Sequence, residues 1–99
     1  MWTDRLKELG IELPAVAAPV AAYVPAVQAG NQVWTSGQLP FTDGKPPAPG
    51  KVGAEVTEEA AYGYARQAAL NAIAAVDDLV GIDNVARVLK IVGFVASDP

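Results

Sequence analysis

Residues 57–81 read "TEEAAYGYARQAALNAIAAVDDLVG", and this stretch decides the fold. It carries no proline, opens on Thr57, which suits an N-cap, and closes on Gly81. Glu58 and Glu59 fall where the helix dipole favours anions. Ala61, Ala65, Ala68, Ala72, Val76 and Leu79 recur at helical spacing, supported by Ala69, Ile73 and Val80. The pattern predicts a helix of about 24 residues, roughly 36 Å long. Its small side chains would let the helix axis approach a sheet closely. Asp77 and Asp78 oppose the dipole at the far end, and both acidic pairs read as solvated.

The sheet is predicted on either side of this helix. Upstream, "AGNQ" marks a hairpin turn between two apolar runs, Tyr23 to Ala29 and Gln32 to Leu39. Pro25 keeps the first run at an edge or a bulge. In the second, alternation puts Val33, Thr35, Gly37 and Leu39 on one face and Trp34, Ser36 and Gln38 on the other. "PFTDGKPPAPG" is a loop with a Thr-Asp-Gly turn, and "KVGAEV" is at most a short third strand. Downstream, Asp83 starts a helical turn. Arg87 to Ala96 reads as a long buried strand, apolar on both faces. Thr3 to Leu9 makes a short amphipathic helix ended by Gly10, and an extended, proline-punctuated arm follows. The order β-β-(β)-α-β predicts an α+β fold, a long helix on one face of a mixed sheet, in a single domain over residues 1–99.

Composition narrows the chemistry. Of 99 residues, 52% are hydrophobic and 18% charged, which suits a packed domain, though one short enough for assembly to be a common supplement. The net charge is −4 and the seven cations are scattered, so nucleic acid is not an expected partner. With no Cys, disulfides and thiolate chemistry are excluded. With no His, the usual base near neutral pH and the commonest metal ligand are gone. The opening has no apolar signal core, and Pro14, Pro19 and Pro25 interrupt the uncharged run that ends at Gly30. A soluble, cytoplasmic protein is expected. "GKVGAEV" lacks the strand-loop-helix context of a phosphate loop. Trp34 reads as a core or interface anchor.

Taken in order, "YVPAVQAGNQVWTSGQLP", "GKVGAEVT", the alanine-rich helix and "VLKIVGFVAS" resemble the YjgF/RidA superfamily, from about Leu9 to Ser97. The "ELGIELP" opening and "GKVG" are most similar to its endoribonuclease-named branch. The resemblance implies a chorismate-mutase-like fold, a homotrimer, and ligand clefts between subunits. It also implies hydrolysis of reactive enamine/imine intermediates to 2-keto acids and ammonia, with neither metal nor organic cofactor. The tyrosine of the family's G-P-Y-S-Q-A motif falls on Tyr23, where it would line the cleft and help place a water. Here Ala21-Ala22 replace Gly-Pro, and Val24-Pro25 replace Ser-Gln. The family's T-S-G-Q matches Thr35, Ser36, Gly37 and Gln38, which implies ligand-binding roles for Ser36, Gly37 and Gln38.

The resemblance further implies a C-terminal helix and two strands beyond the segments found here. They carry an arginine that clamps the substrate carboxylate and a glutamate that handles the water. Neither Arg66 nor Arg87 matches that arginine. Two alternatives therefore stand beside deamination. One is a non-catalytic trimeric module that binds a small carboxylate or serves regulation. The other is an endoribonuclease, which the acidic charge and the missing His disfavour.

Overall fold

The computed structural model describes residues 1–16 and 22–99. The arm predicted after Gly10 runs partly through 17–21, so Pro19 and Ala21 lie outside the described residues. Helix α1 spans Trp2–Glu8, strand β1 Ala26–Ala29, strand β2 Gln32–Thr35 and helix α2 Glu58–Val80, followed by a 3-10 turn at Ile82–Asn84.

Sequence chemistry accounts for the ends of α1 and for the hairpin. Gly10, at φ 68°, donates its N–H to Lys7 and Ile11 donates to Leu6, the paired bonds of a Schellman motif. The hairpin is antiparallel, with Ala26 opposite Thr35 and Ala29 opposite Gln32. That leaves Gly30 and Asn31 as a two-residue loop. Gly30 takes φ 60° and Asn31 stays negative, the pattern of a II′ turn that matches strand twist. Both strands are shorter than their apolar runs. Pro25 has no N–H for the ladder, so β1 begins only at Ala26. Its carbonyl still accepts from the Ser36 N–H at 2.9 Å. Beyond the hairpin, Asp43 and Gly44 both have positive φ between the paired Thr42 and Lys45, a tight I′ turn.

Thr57 caps α2 as its sequence predicts, its hydroxyl accepting from the Ala60 N–H at 3.1 Å. At the other end Gly81 adopts φ 79° and donates to the Asp77 carbonyl. Asp77 is more than a solvated charge here, because its carboxylate accepts from the Ile82 N–H at 2.9 Å. The Asn84 side chain donates to the Val80 carbonyl at 2.7 Å, satisfying a group the helix leaves open. The helix packs against β1 and β2. Its buried centre is Leu70, Asn71, Ala74 and Ala75, and Val56 joins them from the preceding loop. Ala65, Ala69 and Leu79, expected on the packed stripe, are exposed. Alanine occurs all round this helix, so apolar spacing alone does not fix which face turns inward.

"KVGAEV", expected to be at most a short third strand, forms a turn in which Val52 and Val56 make an isolated bridge, and Val52 makes another with Ser97. One strand expectation is corrected. The 87–96 segment, expected as a buried central strand, is exposed throughout and belongs to no sheet. Ile91 is 85% exposed and Phe94 94%. Among the described residues it is attached only at its end, where the Val52 N–H donates to the Ala96 carbonyl and the Asp98 N–H to the Val52 carbonyl. β-branched residues favour extended backbone, but burial needs neighbours on both faces. Among the described residues this segment has none.

Candidate functional site

The hairpin positions the sequence candidates. Half-buried Ala26 and Val33 point toward α2, whereas Val27 and Trp34, both about half exposed, lie on the opposite face. Counting on from Ala26 opposite Thr35 brings Pro25 opposite Ser36, where a backbone bond is made. Ser36 thus continues the alternation one residue past β2, onto the outer face with Trp34. Gly37 and Gln38 follow it beyond the paired strands, and Tyr23 lies two residues before Pro25, ahead of β1.

Ser36 and Gln38 are joined directly. The Ser36 hydroxyl donates to the Pro25 carbonyl at 3.3 Å. It accepts from the Gln38 side-chain amide at 3.3 Å, and that amide also reaches the Ser36 carbonyl at 3.4 Å. Gly37 sits between them, exposed, and its N–H donates to no acceptor among the described residues. A β-carbon built there would meet nothing within 4 Å. Gly37 therefore leaves open space beside an available backbone donor, with no chain packed against it. Tyr23, ahead of β1, is 40% exposed. This arrangement can bind and orient an anionic or carbonyl oxygen, but it contains no guanidinium or ammonium group to hold a carboxylate. Arg66 lies on α2 and Arg87 on the exposed segment, and neither is a candidate.

One residue of this region escaped the sequence reading. Asn71 is only 2% exposed. Its side-chain N–H groups donate to the carbonyls of Leu39 and Phe41 at 2.9 and 3.0 Å. Its oxygen accepts from the Gln67 amide, one turn earlier, at 3.0 Å. A polar residue within an apolar helical run was the available signal. The titration of one carboxylate is set elsewhere, at α1. Asp83 lies below the usual carboxylate range because it accepts the Thr3 N–H at 2.8 Å and the Thr3 hydroxyl at 2.7 Å. An open depression lined by Glu58, Glu59 and Tyr62 contains none of the candidates. Among the described residues no group of His, Cys, Asp or Glu could hold a metal ion. No described helix is long and apolar enough to cross a membrane.

Residues 3–96 match the family described as "YjgF/chorismate_mutase-like, putative endoribonuclease". The chain belongs to this YjgF family. It is 41% identical over 96 residues to Protein TCP17 of Trypanosoma cruzi, covering 96% of this chain and 60% of that one. A solved protein from Shewanella oneidensis that carries the endoribonuclease label is 42% identical, with a TM-score of 0.72 over 80% of this chain and 52% of its own. A protein of unknown function from Agrobacterium tumefaciens is 39% identical, with a TM-score of 0.65 over 80% of this chain and 47% of its own. The chain thus spans about half to three-fifths of the length of these YjgF relatives. The small α+β architecture, a long helix on an antiparallel hairpin, is that of the chorismate-mutase-like fold.

Proposed function

We propose that this YjgF chain serves RidA-like hydrolysis of reactive enamine/imine intermediates to 2-keto acids and ammonia. The observation that carries the reading is the Gly37 N–H, which has no acceptor among the described residues and is framed by the Ser36–Gln38 pair beyond the hairpin. Hydrolysis of an imine needs an oriented substrate, a placed water and donors for developing charge. Gly37 and Ser36 supply orientation, Gln38 fixes the Ser36 hydroxyl, and Tyr23 is assigned the placing of the water. The proposal includes a cytoplasmic homotrimer, with this edge as one wall of a cleft completed by a neighbouring subunit. It requires a carboxylate-binding arginine in addition to Arg66 and Arg87.

A second reading is favoured by that requirement and by Ala22, Val24 and Pro25 around Tyr23. In it the same cleft binds a small carboxylate without turning it over. Ribonucleolytic activity, which the relatives' label suggests, ranks third, because the net charge of −4 repels RNA and no His is present. An assay that generates 2-aminoacrylate and follows pyruvate release separates the three. Acceleration above the uncatalysed rate supports the deaminase. Binding of 2-oxobutyrate by calorimetry without acceleration supports the binding module. Cleavage of RNA by nuclease-free protein, with neither of the other responses, overturns both.

A further inference from the structure

We propose that Asn71 is the positioning residue of this cleft: from the middle of α2 it fixes the backbone that carries Gly37 and Gln38. The inference rests on the cleft reading above and adds to it the device that holds the wall in place. Asn71 is the most deeply buried large side chain, and it is polar. Burying a carboxamide is unfavourable unless its groups are paired. Here both donors and the acceptor are used, the donors on two carbonyls 32 and 30 residues upstream.

Those two carbonyls flank Pro40. The ladder ends at the Ser36–Pro25 bond, and Pro40 has no N–H, so this stretch is not held by strand pairing. Asn71 takes over that function. It grips Leu39 on one side and Phe41 on the other, while the Phe41 N–H closes onto the Leu39 carbonyl at 2.8 Å. On the other flank, Ser36 is pinned to Pro25. Only Gly37 and Gln38 lie between these two anchors, and the Gly37 N–H has no acceptor among the described residues. Gln67 holds the Asn71 oxygen, which fixes the carboxamide with its N–H groups toward the loop. Without Asn71, the Gly37 amide would sample many directions, and a ligand would bear the cost of ordering it.

The test uses the full 99-residue chain, with 2-oxobutyrate as the probe. Alanine is a good helix former, so Asn71→Ala is expected to keep α2 by circular dichroism. Its backbone relaxation should show 37–41 loosened while Ser36 stays ordered. The dissociation constant for 2-oxobutyrate should weaken about tenfold, the size expected from losing buried hydrogen bonds. Unchanged order in 37–41 overturns the proposal, and so does loosening with wild-type affinity, which would make Asn71 structural only. If Asn71→Ala does not fold, Gln67→Met decides. It leaves the donors of Asn71 in place but frees its oxygen, so the same changes should appear at roughly threefold in affinity. No change in either measurement overturns the claim. A wild-type chain that ignores 2-oxobutyrate overturns the cleft reading and this inference with it. Failure of the inference alone looks different, because wild type and variant then bind equally.

Discussion

Gly37 and Asp83 show how one position can matter for opposite reasons. At Gly37 the backbone is outside the left-handed region and a β-carbon would meet nothing. Gly37→Ala should therefore leave the fold intact and stabilise it slightly, by up to about 1 kcal/mol, by restricting the unfolded chain. If the glycine is there to admit a ligand, the same substitution should weaken 2-oxobutyrate binding. Urea unfolding beside calorimetry reads both effects, and undiminished binding would remove Gly37 from the cleft. Asp83 acts through its charge. Its folded pKa lies below the ordinary 3.8 because the carboxylate accepts from Thr3. The stabilisation is therefore present above the ordinary carboxylate pKa and is lost as pH falls through the lowered folded value. The Trp2 indole, which donates to the Val85 carbonyl beside Asp83, reports on this docking. Its N–H resonance should move toward the free-indole position in acid, and Asp83→Asn should abolish the carboxylate's part of that titration. A Trp2 signal equally acid-sensitive in the variant would show that another group controls the docking.

Helix α2 was the most legible element, because its signals are local. Thr57, Glu58, Glu59 and Gly81 act within one turn of their own positions, and the helix begins and ends where they place it. Thr57→Ala should cost about 1 kcal/mol in urea unfolding, and Thr57→Ser should restore most of it. Equal stability of the two variants would mean that the hydroxyl bond to Ala60 contributes nothing. The orientation of the helix was less legible. Apolar periodicity picks out a stripe through Ala65 and Leu79, yet the packed centre is Leu70, Asn71, Ala74 and Ala75. A helix rich in alanine has a weak apolar direction. The hairpin was legible in its turn and blurred at its ends, where Pro25 removed a donor and shortened β1. For the candidate site, Ser36, Gly37 and Gln38 were marked by their match to the family's T-S-G-Q, not by local pattern. The Asn71 anchor was marked by neither, because it joins residues thirty positions apart. The 87–96 segment marks the limit of local reading: its residues favour extension, and whether an extended segment is buried depends on what lies beside it.

The molecule as a whole exposes more surface than its mass explains. Its accessible area is 7533 Å², whereas a folded monomer of 10.2 kDa should expose roughly 5,300 Å². The excess, roughly 2,200 Å² on one chain, exceeds the roughly 800 Å² that each partner buries in a standard protein interface. Much of it is apolar: residues 88–95 on the extended segment, and Val27 and Trp34 on the hairpin face turned from α2. Such surface is costly to leave in water. Of the two patches, the hairpin face adjoins Ser36 and Gln38, so association through it would bring a neighbouring subunit against the candidate cleft. At tens of micromolar the chain is therefore expected to sediment as an oligomer, and Trp34→Lys should shift it toward monomer. Trp34 is 54% exposed, and among the described residues its indole N–H donates only to the Gln32 side chain, at 3.3 Å. The change should thus leave the stability of the dissociated chain within about 0.5 kcal/mol of the parent. Binding of 2-oxobutyrate should fall along with assembly, because one wall of the cleft would be lost. A Trp34→Lys chain that remains fully assembled would move the interface elsewhere, with the 88–95 segment and Phe94→Lys as the next variant. A monomeric chain that binds as well as the parent would confine the site to a single subunit and end the case for a shared cleft.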